Sequence, residues 1–216
     1  PGRGTVILHH PSPETLLAYA AGSLPAGQSL VVAAHAEGCP HCRAEIARLE
    51  AIGGDMLEDM PPESLALDAF TDTLARLDQP APRSPALPRQ ADLRLPAGTL
   101  PRILTSAEIS RWLWVAPGVR YSRVRLPWAP KDNVMLLRVA ANKRVLAHSH
   151  GGAEFTQVLH GDFHDEADRY TAGDLIEEDE HTNHQPHAGD QGCLCLASLD
   201  GGLRLPWLTR LIRRSA

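Results

Sequence analysis

The feature that most constrains this chain is the run Ala147-His148-Ser149-His150-Gly151-Gly152-Ala153-Glu154, with Gly161 beyond it. It reads H-x-H-x3-E-x6-G. Residues two apart on an extended segment share a face, so His148 and His150 point the same way. Gly151-Gly152 lets the chain turn and bring the carboxylate of Glu154 back to that face. Two imidazoles and a carboxylate converging on one point make a divalent-metal half-site. His184, on a later strand, is the candidate fourth group, with His181 and His187 close by.

This pattern resembles the first metal motif of the cupin β-barrels, which also ends in a glycine at this distance. The second cupin motif has the form G-x5-P-x-G-x2-H, and Gly173 and His184 hold its outer spacing. Asp179 and His181 stand where that family usually has proline and glycine. Asn142 stands where the first motif usually opens with glycine. The spacing from Gly173 selects His184 over its neighbours. The resemblance covers roughly residues 95–200 and implies a double-stranded β-helix, or jelly-roll, barrel. Cupins use this ligand set for iron, manganese, nickel or zinc, so donor type does not name the metal.

Net charge is −5, which argues against a nucleic-acid binder as a whole. The charge is uneven: through Asp78 there are 4 Lys/Arg against 11 Asp/Glu, and 17 against 15 after it. An acidic segment suits a basic partner, and equally a solvated face on small helices. No apolar run approaches the ~18–20 residues of a membrane span. No signal peptide is expected, and the start at Pro1 is read as processed or trimmed. The four cysteines fall in two close pairs, Cys39/Cys42 and Cys193/Cys195. Such spacing suits metal or redox roles in a reducing compartment, so a cytoplasmic protein is expected.

The first 78 residues carry helix signals only. Ser12-Pro13-Glu14 opens one helix, ended by Gly22. Pro25 opens a second, ended by Gly38, and Pro40 a third, ended by Gly53-Gly54. Leu67, Phe70, Leu74 and Leu77 recur at helical spacing in a fourth. Residues 79–94 carry Pro80, Pro82, Pro85 and Pro88 and read as a stiff linker. Short β-rich runs follow: Trp112–Val115, Val119–Leu126, Met135–Val139, Arg144–His148, Phe155–Leu159, Asp174–Ile176 and Cys193–Ala197. Turns are expected at Ala116-Pro117-Gly118, Lys131-Asp132-Asn133 and Ala172-Gly173-Asp174. The tail 201–216 holds a basic stretch, Trp207–Arg214, read as a short helix or a frayed end. The fold class is therefore α+β in two domains: helices in 1–78, then a β-barrel in 95–200.

His35-x3-Cys39-x2-Cys42 is a second constellation. Cys39 and Cys42 flank the first turn of a helix, where free N–H groups favour thiolate. Two thiolates and an imidazole make a zinc-type site needing one more ligand, and His9 and His10 are the upstream candidates. The bland alternative is a free thiol pair with an unrelated His35.

H-x3-C-x2-C with a histidine about 25 residues upstream resembles the zinc-binding anti-sigma domain, and that spacing selects His10. Joined to the barrel motif, the whole chain resembles the ChrR-type zinc-binding anti-sigma factors. That resemblance implies zinc at both sites and an N-terminal domain that sequesters an extracytoplasmic-function (ECF) sigma factor. It also implies release on singlet oxygen or organic peroxide, no enzymatic activity, no direct nucleic-acid contact and no membrane. The first site then reads as structural. A helical unit of ~75 residues is marginal without a staple, and structural zinc contributes roughly 10–16 kcal/mol of apparent binding energy. The acidic side of the fourth helix, with Asp68 and Asp72, is the candidate partner surface. Cys193 and Cys195 share one strand face, either as buried core residues or as oxidisable thiols. The rival function is a cupin dioxygenase or isomerase with an accessory zinc domain. A third is a cupin module that senses a small ligand.

Overall fold

The computed structural model describes residues 6–77, 79, 90–201 and 203–204. The four linker prolines and the basic tail stretch lie outside the described residues. α1 (Pro13–Ala20) begins as its sequence predicts: the Ser12 hydroxyl accepts from Thr15 N, and Pro13 needs no partner for the N–H it lacks. α2 (Ala26–Gly38) and α3 (Pro40–Glu58) follow. α3 runs straight through Gly53-Gly54, where the sequence reading ended it. Neither glycine takes a left-handed φ. Each costs only about 1 kcal/mol against alanine, and Asp55-Met56-Leu57-Glu58 carries the helix on. α4 (Ala69–Leu77) buries none of its residues.

After a 3-10 turn (Arg102–Ser106) come β1 (Glu108–Ile109), β2 (Leu113–Ala116), β3 (Val119–Leu126) and β4 (Ala129–Val139). Then come β5 (His148–His150), β6 (Glu154–His164), β7 (Arg169–Thr171), β8 (Leu175–Glu178), β9 (Asn183–His184), β10 (His187–Leu199) and β11 (Leu203–Arg204). The larger sheet has the order β1-β3-β4-β10-β6-β7, with β2 beside β3 and β8 beside β6. A smaller one has the order β11-β5-β9. All these pairs are antiparallel. Two local expectations differ. Lys131-Asp132-Asn133 lies inside β4, and Pro127-Trp128 makes the turn instead. Asp132 is used elsewhere: its carboxylate accepts from Gly27 N at 2.6 Å and seats the start of α2. Arg144 makes only an isolated bridge to His187, and regular pairing begins at His148.

The sheet is covered on both faces. On β10, Leu194 and Leu196 pack outward with Leu30, Val31 and Val32 of α2, while Cys193 and Cys195 face inward with Val119, Val158 and Phe163. One apolar cluster thus runs from the helices into the sheet, and a second fills the barrel interior. α2 approaches closely because Gly27 has no side chain. A Cβ there would stand 2.5 Å from Ser198 Oγ and 2.9 Å from Val134 Cγ2.

Candidate metal centres

β5 is three residues long and does what alternation requires: His148 and His150 are buried on one face, Ser149 is not. The turn after it returns the chain to Glu154, the first residue of β6. β9 pairs with β5 in the register His148↔His184, which places the fourth side chain. His148, His150, Glu154 and His184 each offer a ligand atom within 4.8 Å of the others, and all four are buried. His150 Nε2 lies 2.5 Å from Glu154 Oε2, and His148 Nε2 lies 3.1 Å from His184 Nε2. His181 is exposed and His187 stacks on His164, so neither joins the group.

The departures from the cupin pattern are accommodated locally. Asn142 takes φ 57°, a left-handed conformation that asparagine tolerates where glycine is usual. Asp179 accepts from His181 N at 3.0 Å and Thr182 N at 3.1 Å, so a side chain shapes the turn in place of proline and glycine.

The proton positions follow from the neighbours. His148 Nδ1 donates to the Leu146 carbonyl at 2.7 Å. His184 Nδ1 faces Glu178 Oε1 at 2.7 Å and Asp165 Oδ2 at 3.7 Å. Both Nε2 atoms are then bare lone pairs pointed at each other. Only a proton or a metal ion between them relieves that repulsion. Burial lowers the pKa of His148, which favours the neutral, ligating form. Burial opposes charge on Glu154 as well, but the hydrogen bonds from His150 and Thr156 and the nearby imidazoles of His150 and His148 together outweigh it, and the carboxylate is held below its ordinary range. Burial opposes charge on His150 and His184 too, but Glu154 beside the first and Glu178 beside the second raise both pKa values. Three imidazoles, an ionised carboxylate and a backbone or carboxylate partner behind two of the rings are the donor set and outer support of a divalent cation.

The second group is His10, His35, Cys39 and Cys42. His10 Nδ1 lies 3.5 Å from Cys39 Sγ and 3.4 Å from Cys42 Sγ. His9 points elsewhere, to Asp168 Oδ2 at 3.3 Å and Asp174 Oδ2 at 3.4 Å. His35 is fully buried; its Nδ1 donates to the Gly173 carbonyl at 2.9 Å, leaving a buried Nε2 with no partner among the described residues. Burial pushes its pKa down to about 4. Burial and the neighbouring Cys39 push the Cys42 thiol up to about 12. Only a cation at this spot would ionise it near neutrality. The residues fit a metal, and two sulfurs with two imidazoles fit zinc in a closed tetrahedron.

Sequence reasoning missed the supports. Glu178 behind His184, and Gly173 behind His35, carry no motif that names them as such. Gly173 is marked in the sequence as a cupin glycine within the Ala172-Gly173-Asp174 turn, not as a partner of His35. Its φ is 103°, and a Cβ there would stand 2.7 Å from Ile7 Cγ1. Cys193 and Cys195 face a cavity of about 380 Å³ inside the barrel, whose wall also includes His148, Glu154 and His184. A hydrogen bond with Cys193, then burial, raises the Cys195 pKa well above its ordinary value, so this thiol is neutral.

Residues 101–200 match the family described as the ChrR cupin-like domain. Over 210 residues the chain is 39% identical to the anti-sigma-E factor ChrR of Cereibacter sphaeroides, covering 96% of this chain and 97% of that protein. It is also similar to a chain in the crystal structure of Rhodobacter sphaeroides SigE in complex with the anti-sigma ChrR. That match has a TM-score of 0.73 at 35% identity, over 90% of this chain and 100% of that one. With both halves matched along nearly their whole length, the chain belongs to the ChrR family of anti-sigma factors.

Proposed function

We propose that this chain is a zinc-binding anti-sigma factor that sequesters an ECF sigma factor in the cytoplasm and releases it on an oxidant signal. In this reading 1–78 is the inhibitory helical domain, 79–94 a linker, 95–200 the cupin sensor and 201–216 a tail. The likeness over 96% of the chain to an anti-sigma factor is the observation that carries it. The surface of α4 supports it. Phe70, Leu74 and Leu77 are exposed, as are Leu67 just before α4, Met56 and Leu57 at the end of α3 and Met60 just beyond it. Among the described residues nothing covers this apolar stripe, and Asp68 and Asp72 lie beside it in sequence. A basic, two-lobed sigma factor would cover it, and promoter contact would be blocked by exclusion.

His10, His35, Cys39 and Cys42 would hold a structural zinc, closed to chemistry. His148, His150, Glu154 and His184 would hold the sensor zinc. Singlet oxygen or organic peroxide would damage those ligands, or Cys193 and Cys195, and loosen the grip on the partner. The test is co-expression with an ECF sigma factor from the same genome. A 1:1 complex is expected from the unaltered chain. Leu67→Arg with Phe70→Asp should weaken capture about 30-fold, the effect of losing a ~2 kcal/mol hot spot. Stability should stay within about 0.5 kcal/mol, as for other surface changes. Metal analysis would separate this from the rival: about two zincs per chain fits the regulator, and one iron or nickel with open positions fits a dioxygenase.

A further inference from the structure

β8 faces two ways, and each face holds one metal group. Inward, Glu178 fixes His184 Nδ1 at 2.7 Å and lies directly opposite Glu154 in the pairing with β6. Outward, Leu175 is buried in the core shared with the helices, and Glu177 Oε1 accepts from Ser12 N at 3.0 Å, ahead of α1. The turn before β8 holds the ligand histidines of the thiolate site. Asp174, fully buried, accepts from Leu8 N at 2.8 Å and His9 N at 3.0 Å with one oxygen. Its other oxygen accepts from Thr171 N at 2.7 Å. Leu175 N donates to the His9 carbonyl at 3.1 Å, and the Gly173 carbonyl orients His35. So the backbone on which His10 hangs is pinned by residues one to four positions from the carboxylate that orients His184.

We propose that Gly173-Asp174 and β8 form a shared positioning element, through which loss of the barrel metal loosens the thiolate site. This rests on the metal assignments proposed above. The physical step is the pair Glu154 and Glu178, each bonded to one ligand imidazole, His150 and His184 respectively. Like charges directly opposite one another on neighbouring strands destabilise the pairing. A divalent cation held by His148, His150, Glu154 and His184 neutralises that pair. Without it, the pair is balanced only by its contacts to His150 and His184, the β6–β8 ladder is weaker at its Glu154↔Glu178 end, and β8 yields together with the turn that holds His9, His10 and His35. Coupling then travels along one short, continuous strand.

The full chain loaded with cobalt(II) tests this, because thiolate-to-cobalt absorption reports only the group containing Cys39 and Cys42. Its decay under excess chelator is the readout. His148→Ala removes a barrel ligand away from β8. It should speed the decay about fivefold and speed amide exchange at Leu8 and His9. Glu178→Gln added to His148→Ala removes one of the opposed charges and should restore most of the slow decay. Asp174→Asn should speed decay with the barrel site still loaded. Equal decay in His148→Ala and the unsubstituted chain overturns the proposal, as does a double variant no slower than His148→Ala. An unsubstituted chain lacking the thiolate absorption overturns the metal assignment itself, and the coupling with it. Sigma-factor capture is not part of the readout, so failure of the partner assignment shows separately.

Discussion

Replacing Cys42 with alanine should detach α3. Among its nineteen residues only Cys42 and Ile46 are buried, apart from the capping Cys39. Burying an isoleucine side chain contributes only about 1.5–3 kcal/mol. A metal held by His10, His35, Cys39 and Cys42 would therefore be the larger clamp. A ligand that binds only the folded state stabilises it by RT ln(1 + [L]/Kd), about 4 kcal/mol when free zinc stands a thousandfold above Kd. For a chain of 150–250 residues each kcal/mol shifts Tm by roughly 2–4 °C. The unsubstituted chain should thus gain roughly 8–16 °C between chelated and zinc-buffered solution at this site. Cys42→Ala should lose that increment while keeping any increment from the barrel site. Tm against buffered free zinc, read for both chains, measures it. If the two chains shared one zinc dependence, or if α3 amides stayed protected in Cys42→Ala, the metal would not be what docks α3.

Three other outcomes follow from the same geometry. The folded His35 pKa is depressed, so the unfolded chain binds more protons between pH 6.5 and about 4; stability must therefore fall as pH drops through that window, by a slope of about one proton, and His35→Gln should remove it in metal-free urea titrations. All four cysteines are buried and free, so native holoprotein should resist alkylation; chelation should expose Cys39 and Cys42 while Cys193 and Cys195, inside the barrel, stay slow, as peptide mapping would show. Gly161→Ala should cost at least ~2 kcal/mol in denaturant unfolding, because φ is 74° and a Cβ would overlap the Gly192 carbonyl.

What the sequence shows, it shows through period and spacing. The two-residue repeat of His148 and His150 and the three-residue step from Cys39 to Cys42 fix directions within a single element, so these four can be written down before any fold is known, while His10 is separated from His9 only by the family spacing. His184 needed more: its place depends on the β5–β9 register, and only the cupin spacing from Gly173 separated it from His181 and His187. Glu178 and Asp174 were out of reach, because an isolated carboxylate carries no sign of what it will face across a sheet. Gly53-Gly54 misled because a glycine stops a helix only where the chain needs a left-handed φ, and here nothing demands one. Lys131-Asp132-Asn133 misled because its turn composition serves a tertiary contact with Gly27.

The shared core changes what the helical half can do alone. α2 lies on the outer sheet face with Val31 and Val32 fully buried, and Leu194 and Leu196 supply the other wall. α4 and the end of α3 contribute nothing to that wall. The helices thus divide into a part committed to the sheet and a part left for another molecule. A regulator built this way need not unfold to change its grip. A shift of α2 and the Ile7–His10 segment against β8 alters the base from which α3 projects, and α3 ends in the exposed Met56 and Leu57. In the coupling proposed above, release is a change in how one core is packed, set by charges opposed across β6 and β8.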